Sequence, residues 1–574
     1  MSKKDELQSR HSEDAKQPDE LLITDMRCAL PAEAWTDTGA RVDRQELSQQ
    51  PVGKWQALPY RSRLYDGYML RTVHADAAPL RIPLGRSGWH ALYLVIAHAS
   101  GGDTHVEARL TGDEHWRLVA DANCSYVPDE SLGTRGRLCE EPWLLADLSG
   151  RDLEVRFGGW NRGRNVGGHA ALYAVRAVPL RAEAAVTAAT RRHRSLVLFS
   201  NDIPPFFSDR FAAHEWDVAC YNNAVLGGAK GFSYPSAVLN PSPADAWMLP
   251  PHRKALYNQS GNDPLRQCID KTHQIGKRFW MSLRPQGWVH AIPPYDQLWR
   301  SSFFVAHPEY RCLEADGTPL STLSVTFPAV RAQIQAMFEE VLDRGADGIT
   351  ILFARGFALT RYEEPVRTRF RELYDLEARE IPDTDPRLRK VWAEFMTVWI
   401  RELRTMLDAK GSTALVKRRE LIVQGGPCLE WNLAYGIDIE AWAKEGLVDV
   451  VMPYPVHHHT DRIGDTLIQQ PKGWLDIASY VRALKGTATK LIPSLGDYMH
   501  PESLATLRQR AHKYYEAGAT GVCRWDNEEC MAGARLDDPE IQKIWHNCRA
   551  AQENPLIEIG GLRVDKFPPA TAFV

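Results

Sequence analysis

The feature that most constrains the fold is a regular alternation between short apolar runs and helical patterns, which begins near Arg194 and ends near Glu529. The apolar runs, each the length of a β-strand, are Leu196–Asn201, Asp217–Asn222, Lys277–Leu283, Gly348–Ala354, Leu421–Gly425, Val448–Tyr454, Leu491–Leu495 and Gly521–Trp525. Helical patterns separate most of them and cover Pro264–His273, Pro328–Arg344, Asp385–Asp408, Ile439–Glu445, Trp474–Leu484 and Pro501–Glu516. A strand, a helix and a second strand form one parallel unit, and eight such units close into a barrel. The sequence therefore predicts an α/β fold with a (β/α)8 TIM barrel over residues 190–550.

Glycine follows several of the predicted helices. Gly276, Gly345, Gly446 and Gly518 each come just after a helical pattern and just before an apolar run. Glycine adopts the left-handed conformation that ends many helices without the steric cost that other residues carry. These four positions therefore favour the same alternation of helix and strand.

The first part of the chain shows short alternating runs with no helical stretches between them. Examples are Trp89–Ala97, Thr104–Leu110, Trp116–Ala120, Leu153–Phe157 and Ala170–Val178. Strands at this spacing are typical of a β-sandwich. The sequence therefore predicts an all-β, jelly-roll-like accessory domain over residues 29–182, which follows a polar, disordered tail over residues 1–28.

Two further segments flank the predicted barrel. Ala182–Arg192 is rich in Ala and Arg and predicts a linker or a short helix. Residues 551–574 form a C-terminal extension. Within it, Leu556–Ile559 and Leu562–Val564 predict a short hairpin that packs on one of the domains.

Composition narrows the classes of partner. The chain has 574 residues and a formal net charge of −4, which favours neither nucleic acid nor an anionic membrane surface. Its apolar runs are too short to cross a bilayer, and its polar N-terminus has no apolar stretch typical of a secretory signal. The 10 cysteines include no Cys-x-x-Cys pair, which favours reduced thiols. We therefore expect a cytoplasmic protein, and no oligomeric state is indicated.

The site of such a barrel lies at the carboxyl ends of its strands. Amides, carboxylates, arginines and aromatic residues follow the predicted strands. This mixture suits a carbohydrate substrate, because polar groups bond its hydroxyls and aromatic faces stack on its rings. Candidate substrate-binding residues are Asp202, Asn222, Arg284, Trp288, Arg355, Tyr454, His457, Trp525 and Asp526. Alternatively, Asp526 is an ordinary cap, and Arg284 and Arg355 form structural ion pairs.

Hydrolysis of a glycosidic bond needs two carboxyl groups, one acting as acid and the other as base or nucleophile. The candidates on the predicted rim are Glu363, Glu430, Asp497 and Glu528. Asp497 has an equal alternative as a cap of the following segment. Glu363 and Glu364 precede Pro365 and have the alternative of opening a helix, where acids complement the helix dipole.

No cofactor and no metal are expected. The chain contains no Gly-x-Gly-x-x-Gly or Walker-type phosphate loop, and Gly425-Gly426-Pro427 predicts a turn. The run His457–His459 does not favour a metal site, because consecutive side chains point in different directions.

A set of motifs marks the predicted barrel more specifically. The segment Gly345–Arg355 reads GADGITILFAR. His307-Pro308-Glu309 precedes it, and Tyr435–Asp438 and Glu445–Asp449 follow it. Together these motifs resemble the bacterial glycosyl hydrolases described as family-10-like, over about Arg194 to Glu529. The resemblance implies a barrel that acts on carbohydrate.

The chain departs from that group in strand four. The group has an Asp three residues before an Arg, whereas Leu352 stands three residues before Arg355 here. If that Asp is catalytic in the group, another acid must serve in this chain. Glu363, in the loop just beyond, is the candidate replacement.

These observations predict a glycoside hydrolase that acts on an oligo- or polysaccharide by carboxylate acid–base chemistry. Two alternatives stay open. Leu352 favours a catalytically inactive barrel that only binds carbohydrate. A metal-dependent barrel enzyme would require His457 or His459 to meet rim carboxylates at an ion.

Overall fold

The structure of the chain is a computed structural model. It describes residues 20–39, 52–74, 76–98, 106–114, 116–119, 137–157, 170–191, 193–200, 216–223, 264–288, 301–353, 358–456, 462–463, 466–467, 470, 473–496, 504–525, 535–544 and 556–563. Within these ranges no helix combines the length and the apolar character needed to cross a membrane.

The described residues before position 180 form short strands. These strands are Leu21–Ile23 (β1), Trp35–Asp37 (β2), Trp55–Ser62 (β3), Asp66–Thr72 (β4), Leu80–Ile82 (β5), Trp89–His98 (β6), Val106–Leu110 (β7), Arg117–Leu118 (β8), Arg137–Asp147 (β9), Leu153–Phe157 (β10), Ala170–Leu172 (β11) and Ala174–Pro179 (β12). One antiparallel sheet has the order β1-β12-β6-β9, and a second has the order β5-β10-β7-β8.

The predicted tail over residues 1–28 is too long at its C-terminal end. β1 pairs with β12, so that Leu21 lies opposite Ala177, and the Met26 side chain is fully buried. The apolar part of β1 is only three residues long. Such a short strand is specified by its cross-strand partner rather than by a periodicity of its own.

The next strands along the chain build the second half of the fold. They are Ser195–Ser200 (β13), Val218–Asn223 (β14), Arg278–Leu283 (β15), Arg311–Leu313 (β16), Pro319–Leu323 (β17), Gly348–Leu352 (β18), Glu420–Gln424 (β19), Val450–Val451 (β20), Arg462–Ile463 (β21), Thr466–Leu467 (β22), Lys490–Leu491 (β23) and Gly521–Trp525 (β24). Two hairpins, β16–β17 and β21–β22, stand apart. The other eight strands form one parallel sheet in the order β23-β20-β19-β18-β15-β14-β13-β24.

The two outermost strands of this sheet also meet. Ser494, just beyond β23, forms a parallel bridge with Cys523 of β24. The Cys523 N–H donates to the Pro493 carbonyl at 2.9 Å, and the Leu495 N–H donates to the Cys523 carbonyl at 2.8 Å. The sheet therefore closes on itself, which confirms the predicted eight-stranded parallel barrel.

Helices connect and cover the strands. They are Ala182–Thr190 (α1), Pro264–Gln274 (α2), Ser302–Ala306 (α3), Pro328–Asp343 (α4), Glu364–Tyr374 (α5), Pro386–Ala409 (α6), Leu429–Leu433 (α7), Ile439–Lys444 (α8), Ile477–Leu484 (α9), Leu504–Ala517 (α10) and Pro539–Ile544 (α11). The glycines expected to end helices do so with positive φ: 71° at Gly276, 105° at Gly345, 68° at Gly446 and 112° at Gly518.

Side chains of the barrel strands alternate between the lumen and the surrounding helices. One buried apolar cluster fills the lumen and consists of Val197, Val218, Cys220, Trp280, Leu352, Ile422, Val450, Met452, Tyr454, Ile492 and Cys523. The intervening residues, such as Phe279, Ile349 and Leu421, belong instead to the core shared with the helices. Every second residue of a barrel strand therefore faces the lumen, and only these side chains can reach a site inside the barrel.

The amino end of the lumen is sealed by a buried polar network. The Trp280 Nε1–H donates to Glu420 at 2.8 Å, and Arg278 donates to the same carboxylate at 2.7 Å. Gly348 lies between them, since a Cβ there would fall 2.6 Å from the Glu420 carbonyl oxygen. A ligand must therefore enter from the carboxyl end, where barrel sites lie.

The third sheet joins the two ends of the chain. It has the order β11-β4-β3 and continues into Leu556–Ile559 (β25) and Leu562–Arg563 (β26), with β2 also on β3. β25 pairs antiparallel with β3, and Arg61 contacts Glu558 at 2.9 Å. The hairpin expected from the two C-terminal apolar pieces is thus present, and it packs on the N-terminal strands.

A buried ion pair connects the N-terminal strands to the barrel. Arg508 of α10 donates to Glu141 of β9 at 2.6 Å, and the two side chains are only 6% and 3% exposed. Apolar contacts among β6, β9, α1 and α11 accompany this pair. Removal of one partner takes a buried ion-pair contact away from the other charge, which is costly.

We predict that Arg508→Met lowers the free energy of unfolding by about 3–5 kcal/mol, because the buried Glu141 carboxylate loses this ion pair. Arg401→Met is the matched control. Its pair with Glu445 is 52% and 39% exposed and should contribute less than about 1 kcal/mol. Chemical denaturation of both variants measures the difference. Equal losses in the two would contradict the role of the Arg508 pair.

Candidate functional site

The upper lumen, at the carboxyl end of the barrel, is built by the last lumen-facing residues of several strands. Ser282, Leu352 and Gln424 end β15, β18 and β19 on the lumen side, and Tyr454 follows β20. Leu352 pairs with Gln424 in the sheet. Leu352 and Tyr454 also belong to the lumen cluster. These four side chains therefore converge where a barrel binds its ligand.

The Gln424 side chain has unusual surroundings. It is 0% exposed, and neither its Oε1 nor its Nε2 has a hydrogen-bond partner in the described part of the chain. A buried polar group without a partner costs about 1–3 kcal/mol. Buried polar groups without a partner are rare in folded proteins. One explanation is that a ligand or an ordered water forms the missing hydrogen bonds.

Two further polar atoms at the carboxyl end of the barrel are also buried without a hydrogen-bond partner. Among the described residues, the Ser282 hydroxyl and the Gln286 Oε1 are buried without a partner. Gln286 Nε2 donates to the Leu352 carbonyl at 3.3 Å, which anchors Gln286 beside β18. The sequence places Gln286 after the third strand without assigning it a role, and Ser282 and Gln424 were missed. For Ser282 and Gln424, the available signal was a polar residue at the end of an otherwise apolar strand.

Leu352 lies between these polar groups in the sheet. It is 0% exposed and packs with the other lumen residues. It therefore stands at the position where the resemblance leads one to expect an Asp. An apolar side chain there neither donates nor accepts, so it leaves the amide of Gln424 without a partner from β18.

Glu363 is buried next to hairpin β16–β17. It is 1% exposed, and it accepts hydrogen bonds from the Ser324 hydroxyl and from the Arg361 N–H, the latter at 3.1 Å. Burial raises the pKa of Glu363, and these hydrogen bonds oppose the rise. The residue also stands directly before α5, as the helix-opening alternative expected, although its side chain caps no N–H there.

Glu430 has the opposite environment. It lies in the first turn of α7, just beyond β19, and its side chain is exposed. The turn before it is held by hydrogen bonds: Asn432 accepts from the Gly426 N–H at 2.8 Å and donates to the Tyr480 hydroxyl at 2.6 Å. A side chain at Gly426 would collide with the Trp431 ring. Gly425-Gly426-Pro427 is therefore a packed turn, as predicted, and it fixes the position of Glu430.

Three binding candidates have described side chains. Tyr454 is buried in the lumen cluster. Arg284 directly follows β15 and is partly exposed. Trp288 is 0% exposed, and its ring packs against Phe303 with 5.7 Å between centroids. Stacking of a sugar on Trp288 would require a rearrangement of this packing.

The remaining candidates are described only in part or not at all. The backbone of Asn222 lies beside Ser282, and that of Trp525 lies beside Phe199, so both residues end barrel strands at the carboxyl side. Asp202, Arg355, His457, Asp497, Asp526 and Glu528 lie outside the described residues. Within the described ranges, no three His, Cys, Asp or Glu side chains are grouped as metal ligands would be.

Comparison with solved structures gives distant matches. No protein-family model matches the chain, and no curated protein matches it. The glycoside hydrolase domain of PgaB (BpsB) from Bordetella bronchiseptica is 13% identical, with a TM-score of 0.39; the alignment covers 62% of this chain and 98% of that one.

Two other solved structures are similar at the same level. The α-galactosidase of Thermus thermophilus is 12% identical with a TM-score of 0.32, and 82% of this chain and 95% of that chain align. A GH18 chitinase from Pseudoalteromonas aurantia is 11% identical with a TM-score of 0.33, and 60% and 98% of the two chains align. Likeness this weak decides neither family nor function. The barrel is established by its own strand pairing.

Proposed function

We propose that this chain is a glycoside hydrolase whose site is the carboxyl end of the barrel. The observation that carries the proposal is the set of buried, unpartnered polar atoms of Ser282, Gln286 and Gln424 around the upper lumen. Together they offer hydrogen-bond donors and several acceptors, from β15, from the segment just beyond it and from β19. A ligand that completes these bonds must itself donate and accept hydrogen bonds at several points.

Carbohydrate fits this requirement better than an ion or an apolar molecule. Each sugar hydroxyl both donates and accepts, and so do a side-chain amide and a serine hydroxyl. The Leu352 side chain and the aromatic ring of Tyr454, both in the lumen cluster, suit the C–H face of a sugar ring. Further polar contacts would come from the binding candidates at the strand ends, which are Asp202, Asn222, Arg284, Arg355, His457, Trp525 and Asp526.

The catalytic carboxyl groups are proposed to come from Glu363, Glu430, Asp497 and Glu528. The raised pKa of buried Glu363 favours the protonated form that a general acid needs. Exposed Glu430 follows the same strand as Gln424 and is suited to a base that activates water. The pKa of Glu363 supports its assignment as the acid, and the exposed position just beyond β19 supports that of Glu430 as the base.

A second function, carbohydrate binding without hydrolysis, is favoured by one observation. Leu352 fills the lumen position beside Gln424 where a carboxylate would otherwise reach a bound sugar. A barrel with Leu in place of Asp at this position keeps its polar binding groups but lacks one carboxyl group. Turnover measurements separate the two functions.

We predict that the wild-type chain releases sugar from at least one member of a broad panel of oligo- and polysaccharides. Glu363→Gln, Glu430→Gln, Asp497→Asn and Glu528→Gln should each be assayed, and the variant that removes a catalytic carboxyl group should lose at least about a hundredfold in kcat. Glu440→Gln is the control and should keep full activity, because the Glu440 side chain is 49% exposed on the surface of α8. Binding of glycans without any turnover would support the non-hydrolytic alternative.

The pH dependence of stability tests the state of Glu363. Its folded-state pKa is raised by burial above the ordinary value of about 4.3, so the folded protein holds this proton more tightly than the unfolded chain does. We predict that the stability of the wild type relative to Glu363→Gln is greatest at low pH. It should fall as pH rises from about 4.3 through the raised pKa.

Denaturation at a series of pH values measures this difference. Glu364→Gln is the matched control, since the neighbouring Glu364 side chain is 65% exposed, and its difference from wild type should not follow this course. A wild-type advantage that grows with pH would contradict a raised pKa at Glu363.

A further inference from the structure

We infer that the upper lumen selects sugars that carry an acetamido group, and that Gln424 recognises this group. The inference rests on the proposed function and deepens it, because it names the class of sugar. It is drawn from three neighbouring side chains at the mouth of the barrel. These are Leu352, Gln424 and Met452.

The three residues form one row across the sheet. Leu352 pairs with Gln424 directly. The Met452 N–H donates to the Val423 carbonyl at 2.8 Å, which sets Met452 beside Gln424 on the next strand position. Leu352 and Met452 both belong to the lumen cluster, and Gln424 shares the lumen side with Ile422. Neighbouring strands lie about 4.8 Å apart, so the side chains of Leu352 and Met452 lie on either side of the Gln424 side chain.

The row therefore presents one polar group between two apolar ones. The Gln424 amide offers a donor at Nε2 and an acceptor at Oε1, and both atoms are unpartnered in the described part of the chain. Leu352 and Met452 offer no hydrogen bond. A complementary ligand needs a carbonyl or hydroxyl for the amide and a methyl-sized apolar group beside it.

An acetamido substituent supplies this combination. Its carbonyl oxygen accepts from Gln424 Nε2, and its methyl group packs on Leu352 or Met452. Its N–H and C=O point in opposite directions, because a secondary amide is trans. Gln424 Oε1 therefore accepts from the hydroxyl on the adjacent ring carbon rather than from the acetamido N–H.

The other common substituents at one ring position fit this row less well. A hydroxyl there bonds the amide but brings no apolar group, and its remaining donor or acceptor faces Leu352 or Met452 without a partner. A free amine is charged near neutral pH, and none of the three side chains carries a compensating charge. The row thus favours the neutral, methyl-bearing group.

The test is a binding titration of the full chain with oligomers of N-acetylglucosamine, glucosamine and glucose of equal length. We expect the wild type to bind the acetylated oligomer at least about tenfold more tightly than the other two. Gln424→Met should lose this preference. Because it removes an unpartnered buried amide, the same variant should denature at a higher temperature than the wild type.

Gln424→Glu is the second variant. It keeps the size of the side chain and the acceptor for the ring hydroxyl, and in its ionised form it has no donor for the acetamido carbonyl, so it should lose the preference at a pH at which the introduced carboxyl group is ionised. Two results would overturn the inference while leaving the proposed function intact: wild-type binding of carbohydrate without acetamido preference, or preference retained in Gln424→Met. A denaturation temperature of Gln424→Met below that of the wild type, measured without ligand, would contradict the absence of a partner for the buried amide on which the inference depends. If the wild type binds no glycan of any class, the proposed function itself fails.

Discussion

Closure of the parallel sheet is the constraint on which the rest of this molecule depends. Once Ser494 bridges Cys523, every barrel strand has two neighbours, and alternate side chains must face either the lumen or the helices. The Glu420 network then seals the amino end of the lumen. Only the carboxyl end remains for a ligand, so the last lumen-facing residue of each strand decides what the barrel can bind.

The barrel could be predicted from the sequence because its signals are local. Each strand is a short apolar run, and glycines such as Gly276 and Gly518 end the helices before them with positive φ. The short strand β1 could not be predicted in this way, because it is specified by its pairing with β12 across the sheet. Local patterns cannot report such a partner, which is why the predicted tail was too long.

The candidate site was harder to predict, since proximity to a strand end does not give the direction of a side chain. Glu363 follows β18, yet its carboxylate lies against Ser324 beside a hairpin. Trp288 follows β15, yet its ring is buried against Phe303. Gln424 could not be recognised from the sequence, because a single Gln at the end of an apolar run is also what an ordinary strand end looks like. Its lumen orientation follows only from the register of the closed sheet.

The central claim is that a sugar binds at the upper lumen, and a methyl NMR titration tests it most directly. Met452 lies at this position and Met396 lies on α6, and both are buried. With 13C-labelled methionine methyl groups, assigned by Met452→Leu and Met396→Leu, a bound glycan should shift the Met452 signal and leave the Met396 signal in place. If glycans bind or are hydrolysed while the Met452 signal stays unchanged, the site lies elsewhere and the account is contradicted.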